Sequence, residues 1–134
     1  MTRGLNKVMV IGRLGRDPEM RFTASGRPVA TFSVGSSRSW THHNGERQEE
    51  TEWFHVVAWG GLAELCKKRL QKGDQLYVEG RLQTRSWDTP EGQRHYRTEL
   101  VAQEIIFLDE IASHDDIEPD ALETDAYLDE ESLN

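Results

Sequence analysis

The chain of 134 residues carries 16 Lys plus Arg against 24 Asp plus Glu, a formal charge of -8, and its length suits a single folded domain. No apolar run approaches the roughly 20 residues that cross a bilayer, and Val8 to Ile11 is too short for a secretory leader, so we expect a soluble protein with no membrane partner. One cysteine, Cys66, leaves no internal disulfide and no cysteine-rich metal set, which fits a reducing compartment, the cytoplasm or an organelle matrix.

From the N-terminus, residues 5–14 place apolar side chains on both parities, the pattern of a strand covered on two faces. Asp17-Pro18 breaks it. Ser25-Gly26 predicts a turn before residues 28–34, where Ala30, Phe32 and Val34 alternate with Val29, Thr31 and Ser33. Gly35 leaves room for a bulge ahead of Trp40. The polar stretch 41–48, with Asn44-Gly45 inside it, predicts a long hairpin loop, and 53–59 forms the next strand. Over 61–72 the period changes: Leu62, Leu65, Cys66 and Leu70 share one helical face, Lys67, Lys68, Arg69 and Lys72 suit the C-terminal end, and Gly73 caps it. Residues 76–87 alternate again, 88–93 turn the chain, and a last strand runs through Leu108. Three strands, a helix and two strands is the order of the all-β OB-fold, a five-stranded Greek-key barrel whose exposed face often binds oligonucleotides.

All 16 cations lie between Arg3 and Arg97, so residues 1–110 sum to +1 while 111–134, with nine acids and no cation, sum to -9. Few apolar residues interrupt that acidic stretch, and none are spaced to bury. We therefore expect a folded domain over 1–110 and a disordered acidic tail over 111–134. An acidic total does not exclude a polyanionic partner, because a near-neutral body can still present a basic face.

The aromatic residues supply such a face. Along 53–59 the odd positions Trp53, His55, Val57 and Trp59 project from one side, while Phe54, Val56 and Ala58 read as core. Along 76–87 the even residues Leu76, Val78, Gly80 and Leu82 read as core, and the odd ones, Tyr77, Arg81, Gln83, Arg85 and Trp87, interleave cations with aromatics. Unpaired bases stack on indoles at about 1–3 kcal/mol each while Arg or Lys tracks the phosphates, and a duplex hides those base faces.

Catalytic patterns are missing: no Gly-x-Ser-x-Gly elbow, no phosphate-binding Gly-Lys-Ser/Thr loop and no metal-spaced His/Cys set occurs. His42 and His43, adjacent in a loop, are expected to diverge into solvent, and Cys66 to pack as a small hydrophobe. Asp88 and Glu91 belong to turn chemistry around Pro90 and Gly92. No catalytic residue, metal or cofactor is expected.

Asn6-Lys7-Val8, Ile11-Gly12-Arg13-Leu14-Gly15-Arg16-Asp17-Pro18-Glu19, Thr51-Glu52-Trp53-Phe54, Trp59-Gly60-Gly61-Leu62-Ala63-Glu64, Lys72-Gly73 and the run from Tyr77 to Trp87 form an ordered set. That set resembles bacterial-type single-stranded DNA-binding proteins over residues 2 to 109. The resemblance implies an OB-fold that assembles as a homotetramer and coats single-stranded DNA during replication, recombination and repair, in a nucleoid-associated cytoplasmic location. It implies base stacking on Trp40, Trp53, Trp59 and Trp87, and backbone contacts from Arg3, Lys7, Lys72 and Arg85. His55 stands where the family commonly has a basic residue; Arg38, Arg81 and Arg21 are further candidates.

The tail departs from the family. A Gly-, Pro- or Gln-rich linker is missing, and the chain closes Glu130-Glu131-Ser132-Leu133-Asn134 instead of on Pro-Phe. The family's recruitment of replication and repair proteins through an acidic tip therefore has only Asp115-Asp116-Ile117-Glu118-Pro119 as a loose counterpart. Two other readings fit the residues: a specialised paralogue or a binder encoded by a mobile element, and a barrel used as a protein-interaction module with Trp53 and Trp59 at a subunit interface.

Overall fold

The computed structural model describes residues 3–108; the expected tail, and the domain boundary near residue 110, lie outside them. Six strands and one helix follow in the order β1 (Val8–Leu14), β2 (Glu19–Phe22), β3 (Pro28–Thr41), β4 (Arg47–Trp59), α1 (Gly61–Arg69), β5 (Gln75–Asp88) and β6 (Arg94–Phe107). Neighbouring strands run β1-β5-β6-β4-β3-β2, and a further antiparallel pairing of Arg13 with Gly35 and Leu14 with Val34 joins β1 to β3. That pairing closes β1, β3, β4, β5 and β6 into a five-strand barrel. The short β2, which the Asp17-Pro18 break concealed in the sequence, pairs with β3 alone among the described strands.

Alternation fills the interior. Val10 and Leu14 of β1, Ala30, Phe32 and Val34 of β3, Val56 and Ala58 of β4, and Leu76 and Val78 of β5 are all buried, each strand contributing every second residue. In β6 the inward parity changes from Ile105 to Ala102 and Leu100, because the register slips where Glu79 faces Glu104 but Gly80 faces Ala102. Gln103 is thus the extra residue of a bulge, which bends the long β5–β6 hairpin around the barrel. The bulge expected at Gly35 is not there; the β3–β4 ladder runs unbroken from Val29–Trp59 to Thr41–Arg47.

Three other expectations change. The first strand is not covered on both faces within the chain: Met9 is 63% exposed and Ile11 also faces outward, since nothing described here packs over that side. Leu82 is exposed because β5 has by then run past the barrel into the hairpin arm. The helix ends at Arg69 and buries Ala63 and Cys66, with Leu70, already extended, buried just after it, while Leu62 and Leu65 are only half-buried. Gly73, at φ 92°, serves the turn into β5 instead of capping the helix, its N–H donating to the Leu14 carbonyl. Cys66 does pack as a small hydrophobe, and its burial pushes the thiol up to about 12.

Barrel closure leaves no room for a side chain at Gly12, next to the place where β1 meets β3. A Cβ on Gly12 would collide with the Gly35 carbonyl oxygen and lie 2.8 Å from Val34 Cγ1. Gly12→Ala is therefore expected to lose about 1–3 kcal/mol of stability by overpacking. Gly4, with open space around it, gives the control substitution. Denaturant unfolding of the two variants checks this; equal midpoints would show that the β1–β3 seam has slack.

Candidate nucleic-acid interface

The outward parity of β3 and β4 builds the floor of the site. Antiparallel pairing sets Val29, Thr31, Ser33, Gly35 and Ser37 opposite Trp59, Val57, His55, Trp53 and Thr51. One strand supplies small side chains and the other large rings, so the indoles lie over a low surface. Trp53 is seated most tightly at its edge: a Cβ on Gly35 or on Gly15 would come within 2.9 Å of its six-membered ring. Its outer face is open, with 54% of the residue exposed. Beside it, a cavity of about 310 Å³ is lined by Ile11, Leu14, Ser37, Thr51 and Gln75.

The floor continues across the barrel. Val57 of β4 pairs in parallel with Val101 of β6, and two residues earlier on each strand come His55 and Glu99. Beyond them β5 and β6 pair Gln83 with Glu99, Arg85 with Arg97 and Trp87 with His95. A second cavity, of about 360 Å³, spans this region and is lined by Arg16, Arg21, Arg85, Arg97 and His55 with Asp17, Glu19 and Glu99. Four guanidiniums thus converge with three carboxylates. Arg85 and Arg97 face each other directly, a like-charge pair that is unfavourable by itself and becomes favourable when an anion lies between or above them.

Each of three indoles carries a guanidinium. Arg27 lies 4.6 Å from the Trp59 ring centre, Arg38 4.5 Å from that of Trp40, and Arg85 4.9 Å from that of Trp87, with Arg97 at 5.9 Å. His95 also stacks on Trp87, centroids 5.8 Å apart and planes 22° from parallel. Such contacts hold the rings in place and set a positive charge beside each aromatic face. Among the described residues no guanidinium lies over Trp53.

Of the residues singled out in the sequence, Trp53, Trp59, His55, Arg85 and Trp87 come together on this face, joined by Arg21 and Arg81. Five others do not share its floor. Trp40 has the opposite parity from Gly35 on an unbroken ladder, which sets it and Arg38 on the other side of the β3–β4 ribbon, where Arg38 meets Glu50 at 3.4 Å. Lys7 pairs with Glu79 at 3.4 Å on the outside of β1 and β5. There Tyr77 Oη donates to Glu79 Oε1 at 2.6 Å, which raises the phenol to about 12 and, with Lys7, lowers the carboxyl. Lys72 sits in the turn after the helix, its backbone N–H donating to Asp17 Oδ1 at 2.7 Å, near the rim of the second cavity. Arg3 is exposed ahead of β1.

Sequence reasoning missed Arg16, Arg27 and Arg97. Arg97 was detectable in principle, since it has the outward parity of a strand that pairs with Arg85; the others depend on turns that bring distant segments together. The two loop histidines do not diverge: their Nδ1 atoms approach to 3.2 Å, because the tight turn closed by His42 N–H to Glu46 O folds both rings to one side.

A closed five-strand barrel with one helix between its third and fourth strands, and a ribbon of indoles and guanidiniums across its outer sheet, is an OB-fold of the nucleic-acid-binding type. Residues 5–108 match the model of the single-strand binding protein family. A curated relative, the Single-stranded DNA-binding protein 1 of Chlorobaculum tepidum, is 52% identical over 109 residues, covering 81% of this chain and 67% of that one. A solved structure described as a Plasmodium falciparum SSB complex with ssDNA superimposes with a TM-score of 0.73 at 36% identity, over 81% of this chain and 99% of the other. The chain belongs to the single-strand binding protein family.

Proposed function

We propose that this protein binds single-stranded DNA with little sequence preference, coating strands exposed during replication, recombination and repair. It is a binder, not an enzyme, in keeping with its family. The observation that carries the reading is the shared outward face of β3, β4, β6 and β5, where indoles and cations converge. Stacking on a π-face suits every base, and phosphates are the same at every step, so this chemistry is tolerant of sequence. Trp53, open on its outer face, takes the first base; Trp59 and Trp87 extend the track, with Arg85, Arg97 and His55 on the phosphates. Trp40, and with it Lys7, Lys72 and Arg3, serve a path that leaves the floor and wraps around the barrel.

The wrapping path is built from more than one copy. Met9, Ile11 and Ile106 are exposed and neighbour one another across β1, β5 and β6 through Tyr77, an apolar stripe that starts at Ile11 beside the Trp53 cavity and continues over β5 and β6. We read this stripe as the contact through which the chain assembles into a homotetramer. The acidic segment over 111–134 is proposed as the part that recruits replication and repair proteins.

Intrinsic tryptophan emission titrated with oligo(dT), beside a duplex of equal length, tests the binding face. Saturable quenching by the single strand alone is expected, with affinity falling as salt rises, and Trp53→Ala weakening it by about tenfold, the value of one stacked base. Emission unmoved by either DNA would instead favour an interaction module with its indoles at a protein contact. For assembly, sedimentation of the wild type should give a tetramer and Ile11→Glu a smaller species; a wild-type monomer would refute the stripe's role.

A further inference from the structure

The binding face contains a residue that does not suit its proposed task. Glu99 is buried, 9% exposed, yet it lies on the outward parity of β6 among Arg85, Arg97, Arg16, Arg21 and His55. A carboxylate withdrawn from water needs a partner to offset several kcal/mol of lost hydration. Its partner is Arg85, whose Nε and Nη2 donate to Oε1 and Oε2 at 3.3 and 3.4 Å. This is the forked geometry with which a guanidinium grips a phosphate, but both bonds are long. The Arg85 side chain remains about half exposed, and the same guanidinium lies over Trp87.

We propose that Glu99 is an internal phosphate surrogate: it holds Arg85 against Trp87 in the free protein and competes with the DNA backbone for it. This rests on the reading of the face as a DNA site. The fork keeps Arg85 aligned at the rim of the cavity and offsets its repulsion from Arg97 while no anion is present. An arriving phosphate offers the same two acceptor oxygens, fully accessible, and takes over the guanidinium by moving it a short way outward. Glu99 is then a positioning residue that lowers affinity. Phosphates bind where Arg85 has already been oriented, at a lower ordering cost, but each binding event gives up the internal pair. An easily reversed contact follows, as suits a protein that must release its strand.

A double-mutant cycle on the full chain tests this, using oligo(dT) affinity at several salt concentrations for wild type, Glu99→Gln, Arg85→Ala and the double variant. Glu99→Gln is expected to bind tighter by up to about fivefold, the value of one partly exposed ion pair. Its logarithmic salt slope should steepen by up to about 0.7, because no freed carboxylate then offsets the phosphate charge that Arg85 neutralises. In the Arg85→Ala background the same substitution should change little. Tightening of equal size with and without Arg85 would mean general repulsion and would overturn the competition. So would unchanged or weaker binding by a folded Glu99→Gln protein, which would make the carboxylate a structural support only. If Glu99→Gln does not fold, the Arg85 Nε–H resonance of the wild type decides: movement on adding oligo(dT) supports the exchange, and an unmoved signal at saturation overturns it. Wild-type protein that fails to bind oligo(dT) would refute the DNA reading itself, a result separate from any difference between variants.

Discussion

The barrel closes at one crossing, where β1 meets β3 and Gly12 lies against the backbone of Gly35. Gly12 admits the Gly35 carbonyl, and the missing side chains at Gly35 and Gly15 leave the space on which the edge of Trp53 rests. Closure of the fold and seating of its most open indole therefore meet at Gly35, with Gly12 serving the first and Gly15 the second. A side chain at Gly12 would hold the strands apart, and one at Gly35 or Gly15 would lift the ring from the sheet. The core and the binding face are in this sense one construction, seen from the two sides of a pleated sheet.

From that crossing the chemistry spreads by alternation. Small residues on β3 face large rings on β4, and the parallel step from Val57 to Val101 carries the same outward parity onto β6 and β5. Each indole is worth about 1–3 kcal/mol to a stacked base, so a few of them suffice for tight binding once cations neutralise the backbone. The guanidiniums over Trp59, Trp87 and Trp40 serve twice, fixing the ring and presenting charge beside it. Trp53 has no such cover among the described residues and is the surface that we propose a base meets first. The apolar stripe of Met9, Ile11 and Ile106, through which we propose that copies associate, also faces outward and meets the Trp53 cavity at Ile11.

Much of this was legible because a strand's period is two. Ala30, Phe32 and Val34 inward, with Trp53, His55 and Trp59 outward, follow from the residues alone. So do the helix from Gly61 and the turns at Ser25-Gly26 and Asn44-Gly45. What alternation cannot report is which strands meet. β2 is four residues long and polar, recognisable only by its pairing to β3. The bulge at Gln103 changes the inward parity of β6 without any glycine or proline to mark it. Apolar residues on both parities of β1 predict burial on both faces, whereas among the described residues nothing covers the odd side. The family resemblance groups Trp40 with the other indoles, and only the unbroken ladder sets it on the other side of its ribbon. Glu99 carries no signal in the sequence at all; its significance comes from the cations that the fold gathers around it.

The central claim is that single-stranded DNA lies along the outward face of β3, β4, β6 and β5 and stacks on its indoles. Photo-cross-linking to oligonucleotides carrying 5-iododeoxyuridine, followed by peptide mapping, tests it most directly, since this base reacts with aromatic side chains on which it is stacked. The account predicts cross-links at Trp53, with Trp59 and Trp87 as further sites. Cross-links confined to the side of Met9, Ile11 and Ile106, with Trp53 unmodified at saturating DNA, would contradict it.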